Sequence, residues 1–478
     1  MITQIEIDGF KTFLDFKVEL APFQVLVGPN ASGKSNLFDA LYLLSQLAEV
    51  DIRSAFQGLR GSPDEQFTLF PNGQRSDHIR FAVELLVDRK VQDELGQKAE
   101  LKYTRLRYEL TIAFRANTDG LERPYVLHES LRSIQPDKDQ WCKRYDLSAQ
   151  NSWLPEPIDG QKTFINTQLE RGRITTSVTP VATALTEYTV IFLYPDDSQS
   201  NLKKFYADEI QRTILSRTDE VDYPHVFAAR EELRSLKFLR LYPEELRHSS
   251  SIKAPTSLSP EGKNLAAMLA RMQAEDLLTL TDVSRDLADL VPDVIGIDLK
   301  KDAQENKYTI WVKFEDERTF PASVLSDGTL LLLALAALKN DPQFRGVFCL
   351  EEPENSVHPF YLKKIAHMLR GMATDFTYLE QAHESLRQII VTTHSPVFIS
   401  QEDAADSLLF TFTVTRVVPQ KYALQITQMT PVAAPSTLDS SSGARDKAAE
   451  TYASHQIEKY LNSHDLDSAR EKLRKNSL

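Results

Sequence analysis

Two spacings of apolar residues alternate along this chain, and each predicts a kind of element. Near the start, Ile2, Ile5 and the stretch 10–18 fit strands of a β-meander with one buried face. FQVLVG, residues 23–28, is short and apolar, as expected of a strand buried on both faces. In SNLFDALYLLSQLAEV the spacing becomes helical, with Leu37, Ala40, Leu41, Leu44 and Leu47 along one side. Alternation returns at residues 78–88 and 106–115, predicting two more strands.

From residue 116 to 298 the pattern changes. Polar loops separate an isolated strand at 188–193, helical stretches at 202–216 and 227–239, and a predicted helical hairpin at 263–274 and 277–290. No heptad repeat is sustained, so a long coiled-coil arm is not expected. A second ordered block, 299–430, holds the strands IWVKF, VFCLEEP and IIVTTHS. The linker PVAAPSTLDSSSG then leads to a final helix carrying Arg470, Lys472, Arg474 and Lys475 at its end, within 431–478. The expected domains are therefore an N-terminal lobe (1–115), a compact α+β insertion (116–298), a C-terminal lobe (299–430) and a tail (431–478).

Composition narrows the class. A chain of 478 residues buries more than one core, and 42% hydrophobic with 26% charged residues is ordinary for a globular protein. A formal charge of −13 argues against a general coat for nucleic acid, although a local basic groove stays open. The two cysteines, Cys142 and Cys349, lack metal-ligand spacing and fit a reducing cytoplasm. The opening residues read as a strand, not a signal peptide, and the longest apolar run, 330–338, is too short to cross a bilayer. No membrane partner is expected.

Chemistry enters with the loop Gly28, Pro29, Asn30, Ala31, Ser32, Gly33, Lys34, Ser35, matching G-x-x-x-x-G-K-[ST] between an apolar strand and an amphipathic helix. Its glycines let backbone N–H groups close around phosphate oxygens, Lys34 reaches the β- and γ-phosphates, and Ser35 holds Mg²⁺. A second apolar strand ends in Glu351 and Glu352, one placed for the Mg²⁺ shell and one for the attacking water. Neighbouring strand residues face opposite ways, so the strand must end there, and Pro353 fits that end. Ser326, Asp327 and Gly328 open an apolar helix and form a second anion-binding start. A chain with its own phosphate loop gains from this extra site if it seals the γ-phosphate held by a partner. A third apolar strand delivers Thr393 and His394 to its end. A glutamine between the phosphate-loop helix and the strand at 78 completes the set: Gln74 is the first choice, with Gln57 and Gln66 as competitors.

This order of motifs resembles the ABC ATPase superfamily. The phrases IDGFKTF, GPNASGKSN and EEPENSVHP look like its SMC/RecF/OLD branch, and LRLYPEELR and SPEGKNLAAML resemble the prokaryotic RecF/OLD-like ATPases, whose relatives serve the Septu and PARIS defence systems. The resemblance implies an α/β fold: an ABC-type ATPase head of mixed sheet and flanking helices, an N-terminal antiparallel β-subdomain and a compact α+β insertion. It implies ATP and Mg²⁺ as ligands, held by Gly28 to Asn36, with Lys11 and Thr12 contacting nucleotide. It makes Ser35, Gln74 and Glu351 metal-associated, Glu352 and His394 catalytic, and Ser326, Asp327 and Gly328 signature contacts in trans. Residues 355–358 fall where the family places a dimer-contacting loop. An ATP-driven homodimer follows, with either a separately encoded effector (a nuclease or toxin, in anti-phage defence) or DNA, in a RecF-like repair role, as the further partner. The acidic charge, the compact insertion and the lack of a recognisable nuclease domain favour the effector. A small-molecule P-loop kinase is disfavoured, because it has no use for LSDGT or the strand-borne histidine.

Overall fold

The computed structural model describes residues 1–432 apart from 94, 117–121, 151, 159, 173–185, 197–201, 219–221, 356, 406 and 419–421. The expected linker beyond 432 and the terminal basic helix lie outside the described residues. The fold is a mixed α/β head in which an antiparallel sheet and a mostly parallel sheet enclose the phosphate-loop helix.

The parallel sheet is the centre. Its strand order is Lys237–Leu239, Gly346–Glu351, Arg387–Thr393, Phe23–Val27, Leu408–Val418 and Tyr422–Pro431, parallel throughout except for the last pair. The absence of apolar–polar alternation in FQVLV and VFCLE has its cause here, since alternate residues enter two different cores. Leu26, Val347, Cys349 and Ile390 join the core shared with the phosphate-loop helix (Lys34–Leu47) and the antiparallel sheet. Val25, Val27, Phe348, Leu350, Ile389 and Val391 join the core on the other face, with the helices Leu265–Glu275, Leu277–Leu290, Asp327–Lys339 and Leu362–Met372. The helix Asp327–Lys339 is buried from Leu330 to Leu338, which explains a run of leucine and alanine with no polar side.

The antiparallel sheet has eight strands, from Phe16–Glu19 at one edge through Ile2–Asp8, His78–Leu86, Arg105–Ala116, Glu122–Ser133, Thr163–Gly172 and Thr186–Leu193 to Lys203–Tyr206. A third, smaller sheet pairs Ser250–Ser251, Lys307–Phe314, Val294–Asp302 and Thr319–Pro321. Residues 116–298 thus supply strands to each of these three sheets, but not to the two-stranded ribbon of Lys90–Gln92 and Lys98–Glu100: 122–206 lengthens the antiparallel sheet, Lys237–Leu239 edges the parallel one, and 250–251 with 294–298 enters the third.

Several local expectations are corrected. The stretch 10–18 is strand only from Phe16, because Gly9, Lys11 and Asp15 take positive φ (75°, 47° and 51°) and turn the chain between the first two strands. Residues 202–216 are not one helix: KKFY pairs with Thr186–Leu193, and only Ile214–Arg217 is α-helical. The helix expected over 227–239 runs Pro224–Arg234, and 237–239 become a strand, since pairing with Phe348 to Leu350 overrides helical spacing. The strand at 188–193 is an inner strand of the large sheet. Both cysteines are free and buried, and among the described residues no helix is long and apolar enough to cross a membrane.

A buried carboxylate joins the large sheet to the segment behind the phosphate-loop helix. Glu129 accepts hydrogen bonds from the Ile214 and Leu215 N–H groups at 2.8 Å each and from the Tyr108 hydroxyl at 3.1 Å. Burial pushes this carboxyl up to about 7, against the pull of those donors. A carboxyl raised in the folded state stabilises the fold below its unfolded value near 4.5, and that contribution is lost as pH rises through about 7. Tm should therefore fall between about pH 5 and pH 8, and Glu129→Gln should flatten that slope. Thermal denaturation across this range checks it; an unchanged slope in the variant would count against Glu129 as the source.

Candidate phosphate-loop site

The strand Phe23–Val27 ends in Gly28, and the loop that follows closes on itself. Lys34 folds back so that its ammonium donates to the Gly28 and Pro29 carbonyls at 2.6 and 2.9 Å. Ala31 and Gly33 take positive φ (62° and 110°), which bends the loop before the helix begins. The Ser32 hydroxyl is buried and has no hydrogen-bond partner. Lys34 is itself buried, and that burial lowers its pKa to about 8, while nearby Glu352 acts in the opposite direction. A buried cation above a closed ring of backbone, with an unsatisfied hydroxyl beside it, is a cradle for an anion. Ser35, exposed at the start of the helix, offers its hydroxyl at the rim.

The loop is braced from behind by the hairpin Leu408–Val418 and Tyr422–Pro431. Thr427 donates from its hydroxyl to the Ser32 carbonyl at 3.1 Å and shares a hydrogen bond of 2.7 Å with the Thr12 hydroxyl. A side chain at Gly33 would meet Thr427 Oγ1 at 2.2 Å, and one at Gly28 would meet the Thr411 carbonyl oxygen at 2.2 Å. Both glycines are thus required by close approach.

The other strand ends converge on this loop. Glu352 follows Gly346–Glu351 with φ of 47°, so the chain turns there as Pro353 suggested, and its N–H donates to the Thr392 carbonyl at 2.9 Å. That turn brings Glu352 Oε1 to 3.3 Å from His394 Nε2, while Asn355 donates to Oε2 at 2.6 Å. The pKa of His394 is lowered by burial first and by Lys34 second, with Glu352 opposing, which favours a neutral ring. Lys34, Glu352 and His394, from three distant stretches of sequence, share one electrostatic environment.

The remaining candidates sit around this centre. Glu351 is paired with Arg240 at 3.5 Å. Lys11 pairs with Asp39 on the phosphate-loop helix at 2.5 Å, and Thr12 accepts from Asn36 at 2.8 Å, so these two tie the turn after the first strand to that helix. Ser326 caps its helix, accepting from the Thr329 N–H at 3.2 Å, and it stays exposed with Asp327, while Gly328 is half-buried. Asp327 forms an ion pair with Arg247, which also donates to the Leu325 carbonyl at 2.8 Å. Gln74 lies exposed in a tight turn, hydrogen-bonded to Asn72. Gln66 instead is buried, its carbonyl accepts from the Lys11 N–H at 2.8 Å, and its Oε1 has no partner. The structure thus joins Gln66, one of the two competitors, to the segment beside the phosphate-loop helix. Arg240, Arg247 and Thr427 were not anticipated, and Asn355, expected only in a dimer-contacting loop, is the donor to Glu352. The first two belong to LRLYPEELR, whose arginines gave no sign of a partner; Thr427 is an ordinary strand residue in sequence.

Comparison with known proteins supplies a family. The model described as "AAA domain, putative AbiEii toxin, Type IV TA system" matches residues 23–149 and 183–400. No curated protein matches the chain. Solved structures similar to it include the SMC head domain from Thermotoga maritima, 13% identical, covering 90% of this chain and 99% of that one with a TM-score of 0.36. An SMC head bound to the C-terminal winged-helix domain of ScpA is 14% identical and covers 90% and 98%, with a TM-score of 0.42. An SMC head with an extended coiled coil from Pyrococcus furiosus is 13% identical and covers 95% and 99%, with a TM-score of 0.40.

The close approaches at the loop lead to a stability test. Gly28→Ala and Gly33→Ala should each cost about 1–3 kcal/mol. Thr427→Ala should partly relieve Gly33→Ala but leave Gly28→Ala unrelieved, because a backbone carbonyl blocks that position. Denaturant titration of the single and double variants distinguishes the two cases.

Proposed function

We infer that this chain, which belongs to the AAA-domain family whose model it matches, binds and hydrolyses ATP at the site centred on Lys34, Glu352 and His394. The observation that carries the reading is their convergence: a buried ammonium within a glycine-bounded loop, facing a carboxylate that is 3.3 Å from a strand-end histidine. In this reading the loop amides and Lys34 bind the triphosphate, and the unsatisfied Ser32 hydroxyl faces the same cradle. Ser35 and Glu351 would hold Mg²⁺, which supplies charge neutralisation at the phosphates. Glu352 takes the proton of the attacking water, and a neutral His394 orients that water by a hydrogen bond.

The exposed start of the helix Asp327–Lys339 supports a second element of the reading. The chain's own loop is already served by Lys34, Glu352 and His394, so Ser326 and Gly328 seal the triphosphate of a second copy, and two sites close head to tail. Only the triphosphate reaches across, so ATP and not ADP drives the pairing. The family's description as part of a Type IV toxin–antitoxin system supports a role with a separately encoded partner in defence, ahead of a DNA-repair clamp.

Two outcomes test this. Glu352→Gln should bind ATP normally, lose about 100-fold or more in turnover, and accumulate as a dimer in ATP. Size-exclusion chromatography with ATP and with ADP checks it, and a monomeric, fully active variant would contradict the reading. The second concerns Lys34, whose proton is lost above about pH 8. The triphosphate prefers the charged form, so ATP affinity should hold below that pH and weaken above it, towards about tenfold per pH unit. Titration with a fluorescent ATP analogue between pH 7 and 9.5 measures the slope.

A further inference from the structure

The turn after Glu352 carries a third carboxylate that the hydrolytic reading does not use. Glu354 is only 9% exposed. The Thr393 hydroxyl donates to its Oε1, while Oε2 is buried without a partner. Thr393 immediately precedes His394. Its hydroxyl also accepts from the Ser395 N–H at 2.9 Å, so the residues on both sides of the histidine are held through one hydroxyl. Burial raises the pKa of the Glu354 carboxyl, against the opposing pull of the Thr393 hydroxyl and the nearby His394 N–H.

Leaving a carboxylate oxygen buried and unsatisfied is costly. The stability of this turn gives no reason to keep it, because the Glu354 backbone carbonyl already closes the turn through the Val357 N–H at 3.1 Å. The side chain does something else. It links the turn that sets Glu352 to the strand end that sets His394, the two groups whose side chains meet at 3.3 Å. Apart from it, the two segments are joined here by the Glu352 N–H to Thr392 carbonyl bond, which fixes the backbone but not the rotation of the chain at 393–395.

We propose that Glu354 is a positioning residue for hydrolysis: through Thr393 it fixes the chain on both sides of His394 and so sets the distance of that ring from Glu352. The proposal rests on the hydrolytic reading above. A hydrogen-bond acceptor at Oε1 is what the geometry requires, so a glutamine serves and an alanine does not. Thr393→Val removes the same link from the other end while keeping shape and leaving Glu354 in place.

The experiment is steady-state ATP hydrolysis by the full chain, with ATP-analogue binding and Tm measured in parallel. Glu354→Ala and Thr393→Val are each expected to lower kcat about 10- to 100-fold, with KM and analogue Kd within about twofold of the parent. The double variant should be no slower than the worse single one, and Glu354→Gln should keep most of kcat. Unchanged kcat in Glu354→Ala, multiplied losses in the double variant, or Glu354→Gln as slow as the alanine would each overturn it. So would kcat and Kd moving together with a lowered Tm, the mark of a merely structural residue. A parent chain that binds no analogue and hydrolyses no ATP would overturn the hydrolytic reading and take this proposal with it. A parent chain that turns over normally confines any failure to Glu354.

Discussion

Register in the parallel sheet is the constraint from which the rest of the site follows. Thr393 lies opposite Val27, and Glu351 lies opposite Thr392. Three strands that are distant in sequence therefore stop at one edge of the sheet, and the residues just beyond them meet: Gly28 with its loop, Glu352, and His394. The carboxyl edge of a parallel sheet is where chain ends leave room for a ligand. Burial on both faces allows no slippage, because a shift of one residue would move Leu350 and Val391 from one core into the other. The hydrophobic partition of the strands and the geometry of Lys34, Glu352 and His394 are one fact seen at two levels.

That link explains why so much of the site could be read from sequence. Apolar runs ending in chemistry are a local signal: FQVLVG ends in the phosphate loop, VFCLEE in two carboxylates and IIVTTH in a histidine. Even the turn at Glu352 was foreseeable, since adjacent carboxylates serve one site only if the strand stops between them, and φ at Glu352 is 47°. The parts that escaped depend on pairings that leave no local trace. Thr427 faces the loop because its strand pairs as a hairpin with 408–418, and nothing in YALQITQMTP marks that threonine as the one that fills the space beside Gly33. Gln66 and Gln74 are alike in sequence. The bonds that separate them are the Lys11 N–H to the Gln66 carbonyl and the Gln66 Nε2 to the Arg60 and Ser62 carbonyls, whereas Gln74 bonds to Asn72 in an exposed turn.

The middle of the chain was harder for the same reason. Lys203–Tyr206 and Lys237–Leu239 are short strands whose neighbours are helical in spacing, and each becomes a strand because an existing sheet has an open edge beside it. Sheet extension also accounts for the way 116–298 is distributed. A segment that adds strands to standing sheets gains backbone pairing and a buried face, the stretch 141–153 adding a small further cluster with Met1, Leu86, Phe376 and Leu386, and Glu129 shows the cost of one such junction. To hold Ile214 and Leu215 against the large sheet, the chain buries a carboxyl whose pKa is pushed up to about 7.

The short strand Lys237–Leu239 also connects the two halves of the proposed machine within one chain. Arg240, just past its end, pairs with Glu351, while Arg247, at the end of the next helix, pairs with Asp327 and donates to the Leu325 carbonyl. One short stretch therefore touches both the carboxylate beside the chain's own phosphate loop and the loop that the proposed pairing presents to a second copy. The Arg240–Glu351 pair is half-exposed on the arginine side and so weakly held, whereas Arg247 is anchored by two backbone carbonyls as well as by Asp327. The rigid contact is thus at the exposed helix start and the soft one at the strand-end carboxylate. In the proposed reading the surface for a second copy is preformed, and the carboxylate end is what a bound metal or triphosphate would reorganise.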